Sequence, residues 1–173
     1  NNLYGLARKQ DMNTAPSILQ LSNIMRFILY ECAAPRIPLH KELKIIEDYI
    51  ALEKLRYDER LKVLFNAQID QQDQLIAPLL LLPFVENAFK HGASESRTQT
   101  EIKIDLALSD EQLWFVVKNQ KNNDQAIAKE GIGLNNVRRQ LELTYPEAHQ
   151  LSVKSETNFF EIELMIQLNA YAH

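Results

Sequence analysis

Asn87, Lys90 and His91, in the run Leu82-Pro83-Phe84-Val85-Glu86-Asn87-Ala88-Phe89-Lys90-His91-Gly92, combine an amide oxygen that can ligate a hard metal ion with two side chains that can offset an anion. At helical periodicity these three residues fall on one face, while Leu81, Leu82, Val85 and Phe89 fall on the other. Further along, Gly131-Ile132-Gly133-Leu134 opens a second helix, where free backbone N–H groups and the helix dipole favour an anion. Together the two segments point to a nucleotide phosphate site. Mg²⁺ prefers oxygen ligands and keeps several waters, so the Asn87 carbonyl oxygen with triphosphate oxygens would hold it, and Lys90 would neutralise phosphate charge one turn on. Taken singly, an Asn/Lys/His stripe reads as a solvated helix face and a Gly-x-Gly as a packing device. The chain has only four glycines, however, and two of them sit in this one motif.

These residues must be held by a folded scaffold, and the composition supplies one. With 173 residues, 46% hydrophobic and 24% charged, the chain can bury one or two modest cores and falls outside the disordered class. A balance of 19 basic to 23 acidic residues, net −4, gives no broad positive field, so no nucleic-acid partner is expected. The longest apolar run, Ile76 to Val85, is too short to span a bilayer and is interrupted by Pro78 and Pro83. No signal peptide opens the chain, and the single Cys32 cannot form an internal disulfide, which favours a cytoplasmic setting for this chain. The chain starts abruptly inside a helical pattern, as a fragment would.

The first third reads as helical. Asn13 or Thr14 can cap a helix with Pro16 in its first turn, followed by Ile18, Leu21, Met25, Ile28 and Cys32 at alternating spacings of three and four. That is a coiled-coil-like seam, available either for packing within the chain or for dimerising two chains. Pro35 and Pro38 end this helix, and a second runs from Leu39 to Tyr57 with Leu39, Leu43, Ile46 and Ile50 on one stripe. After Arg60 the period changes to that of strands: Leu61, Val63 and Phe65 alternate, then Ile102, Ile104, Leu106 and Leu108. The turn Ser109-Asp110-Glu111 leads into a neighbouring strand at 113–117, making an antiparallel hairpin. Residues 120–130 read as a mobile polar loop, followed by the Gly-x-Gly helix with Leu134, Val137 and Leu141 on its inner face. Strands at 151–155 and 159–166 close the chain. Helices interleaved with hairpin strands predict an α+β fold, a sheet covered on one face by helices.

At this point the residues carry a family resemblance. Leu79-Leu-Leu-Leu-Pro-Phe-Val-Glu-Asn-Ala-Phe-Lys-His-Gly92 looks like the N-box of the LytS/YehU-type sensor histidine kinases, and Gly131-Ile-Gly-Leu-Asn-Asn-Val-Arg-Arg-Gln-Leu-Glu-Leu-Thr-Tyr-Pro146 resembles their glycine-rich box. Upstream, Leu21-Ser-Asn-Ile-Met-Arg-Phe-Ile-Leu-Tyr30, Pro38-Leu-His-Lys-Glu-Leu43 and Tyr49-Ile-Ala-Leu-Glu-Lys-Leu-Arg-Tyr57 are similar to the segment that joins that family's phosphoacceptor region to its ATP-binding domain. The resemblance covers nearly the whole chain. It implies a two-layer Bergerat (GHKL) α/β sandwich over 61–173, preceded by a helical hairpin over 1–60 that is a truncated dimerisation and linker segment. It also implies ATP and Mg²⁺ as ligands, with Asn87 on the metal, Lys90 and His91 near the phosphates, and Gly131, Ile132, Gly133 and Leu134 facing the nucleotide. Residues 120–130 would be the lid. Glu86 would either act on a water or the incoming nucleophile or pair with Lys90.

Two departures from the family's pattern are visible. Many relatives carry Asp-Asn-Gly-x-Gly after the second hairpin strand, with the Asp bonding the adenine amino group; here the slot reads Val117-Lys118-Asn119-Gln120-Lys121. Asn119 would stand in for the Asp, and exchanging a charged acceptor for a neutral one costs on the order of 1 kcal/mol, about fivefold in affinity. The family's phosphoacceptor motif, Asn-Pro-His-Phe-Leu-Phe-Asn, is absent, and the histidines present are His40, His91, His149 and His173. The expected activity is therefore that of the ATP-binding part of a histidine kinase, whose phosphoacceptor lies outside this chain and which does not phosphorylate itself in cis. By resemblance the full protein would be a homodimer anchored in the bacterial inner membrane, passing phosphate to a LytTR-type response regulator. The alternative reading is a non-catalytic dimerising scaffold with an eroded adenine site. A GHKL ATPase of the topoisomerase or mismatch-repair kind is disfavoured by the helical hairpin and by Pro83, which stands where those enzymes place a catalytic Glu.

Overall fold

A computed structural model of the chain describes residues 2–57, 61–70, 74–93, 100–120 and 132–171. It begins with a short helix α1 (Asn2–Arg8), turns at Gln10, where φ is 52°, and continues into α2 (Thr14–Arg26). Asn13 occupies the cap position of α2 but makes no side-chain cap bond; Asp11 Oδ1 instead accepts the Asn13 N–H at 2.8 Å. The last turn of this helix, Phe27–Glu31, widens to a π turn. A two-residue strand β1 (Ile37–Pro38) then leads into α3 (Leu39–Lys54), which ends one turn before the expected Tyr57.

The strand alternation read from the sequence is realised closely. β2 (Leu61–Ile69), β4 (Thr100–Ser109), β5 (Gln112–Gln120), β6 (His149–Ser155) and β7 (Phe159–Gln167) form one five-stranded sheet in the order β2-β4-β5-β7-β6. The β4–β5 hairpin closes through Asp110 and Glu111 with φ of 50° and 65°, the two positive values that a type I′ turn requires. β2 pairs with β4 in parallel, Leu61 opposite Thr100 and Ile69 opposite Leu108, whereas every other pairing in the sheet is antiparallel. A second, two-stranded sheet pairs β1 with β3 (Leu75–Ile76).

One face of the large sheet carries Ile102, Ile104, Phe115, Val117, Ile162 and Leu164, all buried. It is covered by α4 (Leu82–Ala88), which continues as a π turn over Phe89–Ala93, and by α5 (Ile132–Thr144). α4 meets the sheet through Phe84, whose ring centroid lies 6.2 Å from that of Phe115. α5 buries Leu134, Val137 and Leu141, the three residues its period singles out. The architecture is α+β, two layers with the helices on one side, as expected. α3 packs in turn on α4 and on α2, and a single hydrophobic cluster runs from Ile24 to Leu168.

The first helical pair packs differently from the seam reading. α2 turns Ser17, Ile24 and Phe27 inward, so Ile18, Met25 and Ile28 are exposed while Leu21 and Cys32 are half-buried. The stripe predicted from spacing is therefore displaced from the face that meets α3. On α3 the predicted stripe holds, with Leu39, Leu43, Ile46 and Ile50 all buried. No helix among the described residues is long and apolar enough to cross a membrane.

Candidate functional site

The segment from Leu81 to Gly92 forms the floor of the candidate site. Leu81, Leu82, Val85 and Phe89 point into the core, while Glu86 and Lys90 are exposed and Asn87 and His91 half-buried. The two faces inferred from helical spacing are therefore real over α4. From Phe89 the backbone switches to π spacing, which inserts an extra residue into the turn and offsets Lys90 and His91 from strict α periodicity. The i,i+4 spacing from Glu86 to Lys90 thus runs from α geometry into the π turn. Partial desolvation of the Glu86 carboxyl raises it above its ordinary value although the residue remains exposed overall, and the Glu53 carboxylate of α3 adds to that. Glu53 itself is held by Arg56, whose Nη1 donates to both carboxylate oxygens at 2.9 and 2.8 Å. Tyr49 stands edge-on to Phe89 at 5.6 Å, and burial first, then Glu53 and Glu86, raises its hydroxyl well above the usual range.

The π turn has a visible purpose at Gly92. A Cβ at this position would lie 2.8 Å from Cβ and 3.1 Å from Cγ of Asn119, so only glycine allows the turn to approach the end of β5 so closely. The φ of Gly92 is not positive, so space and not backbone freedom selects the residue. Asn119 is 1% exposed. Its Nδ2 donates to the Gln120 carbonyl oxygen at 3.1 Å, and its buried Oδ1 has no hydrogen-bond partner among the described residues. A buried acceptor left unpaired costs about 1–3 kcal/mol. An exocyclic amine such as that of adenine is a donor of the required kind, so Asn119 fits the role assigned to the family's Asp.

At the phosphate end the outcome is divided. Ile132 opens α5, and Gly133 follows it in the first turn, exposed, with nothing within 4 Å of where a Cβ would stand. Gly133 is thus not needed for packing. Leu134 is buried and anchors that turn to the core. Gly131 and nearly all of the predicted lid lie outside the described residues; Gln120, the lid's first residue, closes β5. Among the described residues no three His, Cys, Asp or Glu side chains gather as a metal cage. The chemistry of Asn87 suits a magnesium ion whose remaining ligands are phosphate oxygens and water.

One residue that spacing could have exposed was missed. Glu42 sits on the apolar stripe of α3, three residues after Leu39 and four before Ile46, and is fully buried. Its Oε2 accepts the Leu79 N–H and its Oε1 the Leu81 N–H, both at 2.9 Å, and the N–H groups of Leu80 and Leu82 also face it. Burial raises its carboxyl to about 7 against the lowering effect of these N–H groups. From the opposite side, Tyr145 Oη, just past the end of α5, accepts the Ala77 N–H at 3.1 Å, and Gln140 Nε2 of α5 donates to the Pro78 carbonyl oxygen at 3.2 Å. A charge on an otherwise apolar stripe was the available signal.

Comparison with known proteins finds similarity to histidine kinases. A family model described as "Histidine kinase" matches residues 1–61. The sensor protein kinase HptS of Staphylococcus aureus (strain USA300) is 27% identical over 155 residues, which cover 82% of this chain and 29% of that protein. Among solved structures, the histidine kinase domain of a blue-light activated histidine kinase from Erythrobacter litoralis superposes with a TM-score of 0.58 at 17% identity, covering 91% of this chain and 75% of that one. The catalytic domain of histidine kinase ThkA gives 0.52 at 14% identity, covering 77% and 95%. The fold is that of the GHKL-type histidine-kinase catalytic domains. The chain is similar in sequence to a sensor protein kinase and spans 29% of that protein's length.

Proposed function

We propose that this chain is the ATP-binding catalytic part of a two-component sensor histidine kinase, with residues 1–60 as its linker and dimerisation segment and 61–173 as the nucleotide domain. The observation that carries the reading is the buried, unpaired Oδ1 of Asn119, backed by Gly92 at one end of the same segment that presents Asn87. Asn119 would accept the adenine amino group, Asn87 would ligate Mg²⁺, and Lys90 and His91 would offset phosphate charge. Gly131, Ile132, Gly133 and Leu134 would bring backbone donors to the phosphates. Magnesium would supply charge neutralisation on the phosphate oxygens. The residues of this chain hold and orient the nucleotide so that its γ-phosphoryl can reach a histidine outside the chain, and catalysis rests on positioning and electrostatics. Glu86, with its carboxyl raised by partial desolvation, is the candidate for orienting the incoming nucleophile.

In the full protein the phosphoryl group would pass on to a response regulator, of LytTR type by resemblance. The kinase would be a homodimer, anchored in the bacterial inner membrane by parts beyond this chain. Autophosphorylation in cis is not expected. The amide at Asn119, a weaker acceptor than the family's carboxylate, favours as a second reading a scaffold that dimerises and signals without turnover.

Calorimetric titration with a non-hydrolysable Mg·ATP analogue separates the two. The kinase reading expects binding with a Kd between about 1 μM and 1 mM, largely lost in Asn87→Ala. No heat of binding from the parent chain at millimolar nucleotide would establish the scaffold instead.

A further inference from the structure

The first turn of α4 has no cap of its own. Leu81 occupies the cap position and supplies no side-chain hydrogen bond, although the early N–H groups of a helix need partners. Leu79, just before it, adopts a left-handed conformation with φ of 54°, costly for a leucine unless its surroundings enforce it. The partner that satisfies this strained turn comes from another element: the Glu42 carboxylate of α3, with one oxygen on the Leu79 N–H and the other on the Leu81 N–H. When ionised, the carboxylate also meets the positive end of the helix dipole. The same lead-in is tied to α5 through Gln140, and to the residue just after it, Tyr145. Five consecutive residues, 77–81, thus join the linker helix to the helix of the glycine box, and the candidate metal ligand Asn87 lies less than two turns beyond them on a continuous helix.

We propose that Glu42 is a positioning residue for the nucleotide site: it fixes the first turn of α4 and thereby the height and rotation at which Asn87, Lys90 and His91 are presented. Because Glu42 belongs to α3, a shift of the linker helix along its axis is delivered to these residues through two hydrogen bonds. The inference rests on the nucleotide-binding reading of the preceding section.

The test compares Mg·ATP-analogue affinity in the parent chain, Glu42→Ala, Glu42→Gln, Asn87→Ala and Ile24→Ala, at a temperature where circular dichroism shows each to be folded. Ile24 is buried on α2, away from α4, and its truncation supplies general destabilisation without touching the lead-in. Glu42→Ala is expected to weaken binding by about tenfold or more, since small misplacements of positioning groups have large effects. Glu42→Gln keeps one acceptor but turns its amide N–H₂ toward a backbone donor, and should fall between Ala and parent. Amide exchange at Leu79 and Leu81 should quicken in both. Ile24→Ala should lower Tm and leave affinity within about twofold of the parent. Parent-like affinity in Glu42→Ala, with Asn87→Ala still defective, overturns the proposal alone; so does an equal loss in Ile24→Ala, which would make Glu42 a merely structural group. Should Glu42→Ala not fold, Glu42→Gln decides: parent-like affinity and exchange overturn the proposal. If the parent chain itself binds no nucleotide, the site reading falls and takes this one with it.

Discussion

At the scale of single residues, the site is organised around polar groups whose burial makes their chemistry consequential. Glu42 shows this in its titration. Its carboxyl is raised by burial from an ordinary 4.5 to about 7, so between those values the folded chain binds more protons than the unfolded one. Stability contributed by this group is therefore complete below about pH 4.5 and is lost as pH rises toward 7, a change on the order of 3 kcal/mol. The groups facing it, the Cys32 thiol and the Tyr145 hydroxyl, both have raised values and stay neutral across that window. Thermal melts between pH 4.5 and 7.5 should show Tm of the parent declining more steeply than that of Glu42→Gln; parallel profiles would refute the assignment. Gly92 gives a second expectation at this scale. Gly92→Ala forces its new methyl against Asn119 and should cost about 1–3 kcal/mol in denaturant unfolding, with nucleotide affinity reduced because the amide proposed to meet adenine is displaced. An Ala variant with unchanged midpoint and affinity would show that the close approach is unimportant.

At the scale of elements, α4 is the member on which the others converge. Tyr145→Phe removes the acceptor of the buried Ala77 N–H, so urea unfolding should register a loss of about 1–3 kcal/mol. A value within experimental scatter would mean that the N–H finds another partner. Much at this scale was legible in the chain. Ile102, Ile104, Leu106 and Leu108 announced β4, and Leu134, Val137 and Leu141 announced the inner face of α5, because local periodicity records which side of an element is buried. Asn119 and Gly92 were found through motif spacing, yet their mutual contact was invisible, since it joins a π turn to a strand end. The parallel pairing of β2 with β4, the two-residue β1–β3 ladder and the capping of α4 by Glu42 were equally hidden. Each depends on residues distant in sequence and leaves no local period. The direction in which the α2 seam faces was hidden for a related reason. Both its apolar stripes satisfy helical spacing, and only the position of α3 decides which of them is buried.

At the scale of the whole molecule, the fold leaves one side of α2 apolar and open. Met25 is 53% exposed, Ile28 44% and Leu29 66%, in the segment assigned to dimerisation. Exposed apolar clusters of this kind mark interaction surfaces on soluble proteins. If the chain self-associates through this face, sedimentation velocity should show a concentration-dependent monomer–dimer equilibrium, shifted to monomer by combining Met25→Glu with Ile28→Glu. An association unaffected by the double substitution would place the contact elsewhere.

The π turn at Phe89–Ala93 can also be read as a matter of chain length. A π turn is an α-helix carrying one residue more than its usual hydrogen-bond spacing accommodates. Removing one residue between Phe89 and His91 would let this turn relax to ordinary α geometry, its N–H groups returning to the carbonyl four residues back. The segment from Asn87 to Gly92, at whose far end the glycine backs Asn119, thus carries one residue more than an α turn would use. In this chain the distance from the candidate metal ligand to the candidate adenine acceptor is therefore counted in residues as well as ångströms, and the count includes one that a regular helix would not need.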